Sequence, residues 1–394
     1  MNTLLDLFAG CGGLSSGLVK AGIKVKWANE IDPAAAETYA ANHPGTKLFK
    51  CDAKKLFSDV LSGSVRGLKK GNIDILSGGP PCQGFCEINR HRSIEDPRNS
   101  CVELFYDFVD LLRPRVVLME NVTGILTLAN GHAISSLIKS LGGIGYSTSL
   151  SIVQCGSYGL PQNRWRVFLI GVKNGAAFNF PKPTHKFHKT VFSGMSKWQV
   201  SLIQSTQDFN DLFSQGLAPS TTVSDAICDL SCVPEANVDL PSKYIAPPSS
   251  AYSLNLRNIE NDFTFDHAAN RVEEITLERF SYIPAGGGWQ NLPYHLQPKN
   301  LRSYDSTSFA SRYGRLSWSN TFTAIVTKPE PYWGRFIHPV GNRLLTVREC
   351  ARAQSFPDSY RFSGSMSSRY RQIGNAVPPL IAQIIGTRIV DLIN

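Results

Sequence analysis

The run Gly78-Gly79-Pro80-Pro81-Cys82-Gln83-Gly84-Phe85 places a cysteine at the mouth of a Gly/Pro turn, directly after the apolar strand candidate 73–76. Two prolines fix φ and two glycines allow close backbone approach, so the turn can hold one thiol in a preset direction. Free cysteines mostly pack as small hydrophobes. A rigid turn is a costly setting for a residue that only fills space, and Cys82 reads instead as a nucleophile, which needs access and orientation. A carboxylate, Glu120, follows the strand candidate 116–119, and an arginine pair, Arg164 and Arg166, precedes another at 167–171. The bland reading of the arginine pair is backbone or sheet-edge salt bridges. By contrast, Cys228 and Cys232 have no second cysteine pair nearby, and no metal site is expected.

Elements that could position these groups alternate from residue 3 to about 172. Apolar strand candidates at 3–8, 23–28, 73–76, 116–119 and 167–171 interleave with helical stretches at 14–21, 33–42, 102–112 and 133–141, where Gly22 and Gly142 read as C-terminal stops. This rhythm is that of an α/β fold with an open, mostly parallel sheet. Beyond Pro183 it is lost, and Ser, Asn, Pro and isolated aromatics dominate to about Pro339. An apolar last helix at 380–393 returns to the character of the first domain, so the smaller domain is expected to be an insertion. A loop that long without structure would be improbable in a compact protein, so the insertion should be folded. The expected division is 1–184 plus 341–394 for the sheet domain and 185–340 for the inserted one.

Ligands of open parallel sheets bind beyond the carboxyl ends of the strands, and the polar outliers fall there. Strand one runs into the glycine turn Gly10-Cys11-Gly12-Gly13, strand two ends on Glu30, and a third segment ends on Asp52. An acid about 20 residues after a glycine turn can bind both hydroxyls of a ribose. A dinucleotide oxidoreductase is one reading, but its Gly-x-Gly-x-x-Gly spacing is absent. Adenosylmethionine fits better, because a nucleoside without pyrophosphate needs one tight turn, a ribose acid and an adenine partner; Phe8 could pack on the adenine face.

Six blocks in order, namely Asp6 to Ser15, Gly78 to Phe85, Glu120 to Val122, Gln162 to Arg166, Arg348 to Pro357 and Gly374 to Pro379, together resemble the motif set of DNA cytosine-5 methyltransferases over essentially the whole chain. The resemblance implies a Rossmann-like AdoMet-dependent methyltransferase sheet with an inserted smaller target-recognition domain. It implies Cys82 as the thiolate adding to cytosine C6 and Glu120 as the contact to N3 and the exocyclic amine, for which the carboxyl needs a raised pKa or a shared proton. Arg164 and Arg166 would order the site, with Arg166 nearest the base, and a water would take the C5 proton. The cofactor S-adenosyl-L-methionine would lie among Phe8, Gly10, Gly12, Gly13, Leu14, Glu30, Asp52, Pro80, Asn375 and Val377. The stretch 86–98 matches the family's loop that closes over DNA, with Arg90, Arg92 and Arg98 as DNA contacts, and the target base must be flipped from the stack.

The formal charge of +9 agrees with a polyanionic partner but speaks to association, not fold. The implied partner is double-stranded DNA, read by a monomer without membrane involvement. No leader precedes the first strand candidate, and nine scattered cysteines suit a reducing, intracellular setting. Segments around 222–230, 283–289 and 313–339 are similar to eukaryotic maintenance methyltransferase catalytic domains and some prokaryotic methylases, which makes a CpG-containing target the first expectation. The absence of a large region ahead of strand one suggests a stand-alone methylase, with a restriction endonuclease as functional partner. A tRNA cytosine-5 methyltransferase or a catalytically inactive DNA-binding regulator of the same fold are the rivals.

Overall fold

The computed structural model describes residues 2–81, 100–127, 131–187, 216–257, 260–305 and 308–394. Chain compactness divides it into one unit of 1–158, 165–218 and 377–394 and a second of 159–164 and 219–376. By this measure residues 341–376, grouped above with the sheet, pack within the second unit.

The first unit is built on a seven-stranded sheet. Its strands are β1 (Thr3–Leu7), β2 (Lys24–Asn29), β3 (Lys47–Phe49), β4 (Ile75–Gly78), β5 (Val116–Asn121), β6 (Tyr146–Gln154) and, after the two-residue β7 (Gln162–Asn163) of the second unit, β8 (Trp165–Lys173). Their order is β3-β2-β1-β4-β5-β8-β6. The five strands from β3 to β5 are parallel, and β8 and β6 are added antiparallel. The chain leaves β1 toward β2 and β3, then returns to the other side of β1 for β4 and β5. That reversal creates a switch point between β1 and β4, where an open sheet leaves a crevice.

Helices cover both faces. On one, α3 (Ala53–Leu61), α4 (Ser100–Leu112) and α5 (His132–Gly143) bury Leu56, Phe105, Phe108 and Leu137 against Leu5, Leu7, Leu76 and Val117. Each fully buried phenylalanine contributes about 1.5–3 kcal/mol. On the other face, α1 (Gly13–Lys20) and α2 (Pro33–Asn42) are joined by the Ser15 and Tyr39 hydroxyls at 2.8 Å. The last helix, α11 (Pro379–Ile393; α6–α10 belong to the second unit), packs on α1 so closely that a Cβ on Gly17 would sit 2.2 Å from the Pro379 carbonyl oxygen. Gly22, at φ 90°, does end α1, but α5 runs through Gly142 and is stopped by Gly145 at φ 88°. The stretch Met366–Ile393 is long and apolar enough by composition to cross a membrane; it is two helices parted at 376–378, with half of its most apolar window buried.

The second unit has little ladder structure: pairs of two- or three-residue strands and the helices α6 (Val223–Ile227), α7 (Ala251–Leu256), α8 (Glu274–Tyr282), α9 (Val347–Ala353) and α10 (Met366–Asn375). Buried arginines hold it together. Arg352 donates to both oxygens of Asp358 at 3.0 and 2.6 Å, to the Asp229 carboxylate and to the Ala226 carbonyl, and all three ionised side chains are fully buried. Arg348 bonds Asp266 and the carbonyls of Phe265, Pro357 and Tyr360. Desolvation would make each ion costly alone, and only complete pairing makes the cluster tolerable. The block Arg348 to Pro357, a motif without an assigned task in the sequence, thus organises this unit.

Candidate active site

Strand register brings the sequence-predicted groups of the first unit to one edge. Leu7 lies opposite Gly78, Asp6 opposite Ala28, and Gly78 opposite Met119. Phe8, Glu30, Gly79 and Glu120 are therefore the next residues beyond four adjacent parallel strand positions. On the antiparallel side Asn121 pairs with Val167, which leaves Arg166 at the same edge.

The glycine turn follows from backbone needs. Phe8, Gly10 and Gly12 all have positive φ, at 54°, 57° and 90°, and a Cβ at Gly10 would meet nothing within 4 Å, so the turn leaves open space above it. Glu30 pins it: Oε2 accepts from the Gly10 amide at 2.7 Å and Oε1 from the Asp32 amide at 2.7 Å. Burial pushes its carboxyl up, and those amide bonds pull it back. The Ile31 amide also interacts with this carboxylate, which leaves it less than its full acceptor capacity for a ligand's hydroxyls. Ile31, directly after it, is 64% exposed and offers an apolar face that sequence reading missed. An open glycine turn after β1, and an acceptor carboxylate and an exposed apolar side chain after the neighbouring β2, could take a nucleoside.

Other expected cofactor residues are placed differently. Leu14 and Gly13 are buried in the start of α1, and Phe8 packs against the hydrophobic core. Asp52 does not end a strand; it is the exposed N-cap of α3, its Oδ1 accepting from the Lys54 amide at 2.7 Å. Asn375 is the exposed last residue of α10 in the second unit, whereas Val377 is buried in the first.

Glu120 and Arg166 come together: Oε1 lies 2.9 Å from Nε, with the two side chains 9% and 13% exposed. The other carboxylate oxygen faces Gly79, where a Cβ would stand 3.4 Å from it. Asn121, buried beside Glu120, donates from Nδ2 to the Pro80 carbonyl at 3.1 Å and accepts the Val122 amide at 2.8 Å. This side chain clamps the backbone two residues before Cys82 to the strand bearing Glu120. Gly78 is required as well, since a Cβ there would be 2.8 Å from the Leu7 carbonyl oxygen. Cys82, Arg90, Arg92 and Arg98 lie outside the described residues.

Arg164 belongs to the second unit. It is 1% exposed within the second unit and donates to the carbonyls of Ile325 at 3.1 Å and of Gly374 and Ala376 at 2.9 Å each. Gln162 braces the same unit through Ile325, Ala353 and Gln354. Arg164 is thus placed as a positioning residue for the segment around Asn375.

Beneath the glycine turn lies a group the sequence reading passed over. Asp6, fully buried, accepts from Ser15 Oγ at 2.6 Å and Ser77 Oγ at 2.7 Å, tying β1 to α1 and β4. An aspartate inside an apolar strand is itself the signal, because such a residue is almost never fully buried unless paired.

Residues 2–391 match the family model for C-5 cytosine-specific DNA methylases. The chain belongs to that family. Among relatives, the Type II methyltransferase M.AgeI of Thalassovita gelatinovora is 31% identical, with 98% of each chain covered. The DNA (cytosine-5)-methyltransferase PliMCI of Paracentrotus lividus is 32% identical over 98% of this chain but only 28% of its own, and DNA (cytosine-5)-methyltransferase 1 of Mus musculus is 32% identical with the same coverage. The chain therefore spans under a third of the length of these animal relatives. A prophage-encoded protein from E. coli, described as a DNA modification methyltransferase, superposes with a TM-score of 0.72 at 26% identity over all of both chains. The AdoMet-dependent methyltransferase fold expected from the sequence is the one observed. This methylase family uses S-adenosylmethionine as methyl donor.

Proposed function

We propose that this chain is a DNA (cytosine-5)-methyltransferase acting on double-stranded DNA inside the cell. The observation that carries the proposal is the buried Glu120–Arg166 pair, held at 2.9 Å against the Gly79-Pro80 turn that leads into Cys82. S-adenosylmethionine, when bound at the Glu30 and Gly10 turn, supplies an electrophilic methyl group.

Cytosine is a weak carbon nucleophile at C5, so a flipped base needs activation. Cys82, as thiolate, adds to C6 and pushes electron density toward C5 and N3. Glu120, oriented by Arg166, holds the proton that meets the charge at N3 and accepts from the exocyclic amine. Asn121 ties the Pro80 backbone to the strand bearing Glu120, which supports the reading that the Cys82 thiol and the carboxyl approach the same ring. After methyl transfer the C5 proton leaves to water, the Cys82–C6 bond breaks, and the proton on N3 returns to Glu120. Arg164 keeps the Gly374 to Ala376 backbone in place for Asn375. Asp52 and Val377 complete the cofactor side, and Arg90, Arg92 and Arg98 contact DNA.

Residues 185–340 form the target-recognition region, reading a CpG-containing site as a monomer. The likeness to M.AgeI, a Type II methyltransferase matched over 98% of its length, supports a role beside a restriction endonuclease. The test is transfer of labelled methyl from S-adenosylmethionine to duplex DNA and, in parallel, to tRNA. Incorporation into cytosine C5 of the duplex is expected, and Glu120→Gln should lower kcat by at least about 100-fold while cofactor binding persists. Methylation of tRNA alone, or full activity in Glu120→Gln, would contradict the proposal.

A further inference from the structure

Below the site edge of the first unit, a single carboxylate reaches toward both of its turns. Asp6 of β1 stands opposite Ser77 of β4 in the parallel register, and its Oδ1 accepts from Ser77 Oγ at 2.7 Å. Its Oδ2 accepts at 2.6 Å from Ser15 Oγ, in the first turn of α1. Ser15 has one hydroxyl proton, and with that proton given to the carboxylate it accepts from the Tyr39 hydroxyl of α2, 2.8 Å away. Asp6, Ser15, Ser77 and Tyr39 are all fully buried. The bond directions are thereby fixed, and β1, β4, α1 and α2 converge on one side chain.

Each arm of the carboxylate ends beside a turn. Ser15 follows closely on Gly12 and Gly13, where the open glycine turn pinned by Glu30 enters α1. Ser77 directly precedes Gly78 and Gly79, where an added Cβ would stand 2.8 Å from the Leu7 carbonyl oxygen and 3.4 Å from Glu120 Oε2 respectively. Stability alone does not call for a charge here. Burial pushes the Asp6 carboxyl up to about 6, so the ionised group weighs against the fold at neutral pH. An apolar side chain would fill the space without that cost. It would not fix a direction, whereas two short bonds to a carboxylate hold both hydroxyls, and the backbones that carry them, at one spacing.

We propose that Asp6 is a positioning residue for methyl transfer, setting the glycine turn through Ser15 and the Gly78-Gly79 turn through Ser77. The Ser15 arm governs how tightly the cofactor is held, and the Ser77 arm governs how fast the methyl group moves once it is bound. The division follows from what each turn carries, the nucleoside site on one side and the approach to Glu120 and Cys82 on the other. The inference rests on the methyltransferase reading of function and adds the group that keeps its two halves in step.

The experiment compares the full chain with its Ser15→Ala, Ser77→Ala and Asp6→Ala variants. It records S-adenosylhomocysteine affinity, the single-turnover rate of methyl transfer to duplex DNA at saturating S-adenosylmethionine, and thermal melting. Ser15→Ala should weaken S-adenosylhomocysteine binding about tenfold and leave the single-turnover rate within about twofold. Ser77→Ala should slow that rate about tenfold and leave affinity within about twofold, because transfer is steep in the placement of the reacting groups. Asp6→Ala should show both losses; if it fails to fold, the two serine variants decide. Parental affinity and rate in either serine variant overturn the proposal, whatever the melting temperature, and so do losses of both quantities together in each. A parent chain that neither binds S-adenosylhomocysteine nor methylates duplex overturns the underlying reading of function instead.

Discussion

Glu120 and Asp6 are carboxylates on neighbouring parts of one sheet, and their surroundings set different tasks. Glu120 faces an arginine and the Gly79 backbone, the arrangement on which its proposed role with a substrate proton rests. Asp6 faces two serine hydroxyls in a dry interior, where burial pushes its carboxyl up to about 6 from 3.8 despite the hydrogen bonds from Ser15 and Ser77. Between those values the folded chain binds more protons than the unfolded one. The stabilisation is complete below the unfolded value and is lost as pH rises through about 6, an effect of roughly 3 kcal/mol across the window. Buried His43 and His338, each lowered to about 4 by burial, work in the opposite direction, so a difference measurement is needed. Urea unfolding of the parent and Asp6→Asn between pH 4.5 and 7.5 should show the variant gaining on the parent as pH rises; a pH-independent difference would contradict this.

At the scale of elements, close helix approach depends on particular glycines. A Cβ on Gly17 would also lie 2.5 Å from Ala382 Cβ, so Gly17→Ala must part α1 from α11 and should cost about 1–3 kcal/mol in chemical denaturation. Gly142→Ala is the control: nothing stands within 4 Å of its Cβ inside α5, and it should stabilise by about 0.5–1 kcal/mol. Gly142 also shows where sequence punctuation misleads, since Gly142 and Gly143 both stay helical and the left-handed turn falls on Gly145. The parallel strands were legible because both faces are covered and their runs are continuously apolar. Strand β6 was not, because its Ser149 and Ser151 are buried by pairing with β8 while reading as polar. β3 is too short, at three residues, to show a period. The second unit was opaque because its core is ionic, and Arg348 and Arg352 look like surface residues until Asp229, Asp266 and Asp358 arrive from elsewhere in the chain.

For the whole molecule, chemistry-bearing residues from four parts of the sequence converge because strand order and register leave no other place for strand ends. The Glu30, Gly79, Glu120 and Arg166 positions were readable as motifs; Asn121's clamp on the turn and the structural post of Arg164 required coordinates. The proposed attack at cytosine C6 rests on a positive chain, the Gly10 and Glu30 turn as the proposed nucleoside site, and the Glu120 carboxyl held between Arg166 and Gly79. The most direct test is to incubate the full chain with S-adenosylmethionine and duplex DNA carrying 5-fluorocytosine at the methylated position, since fluorine cannot leave as the C5 proton does. A methylated protein–DNA adduct mapping by mass spectrometry to Cys82, and absent in Cys82→Ala, is the predicted result; methylation of normal duplex by Cys82→Ala, or an adduct at another residue, would contradict it.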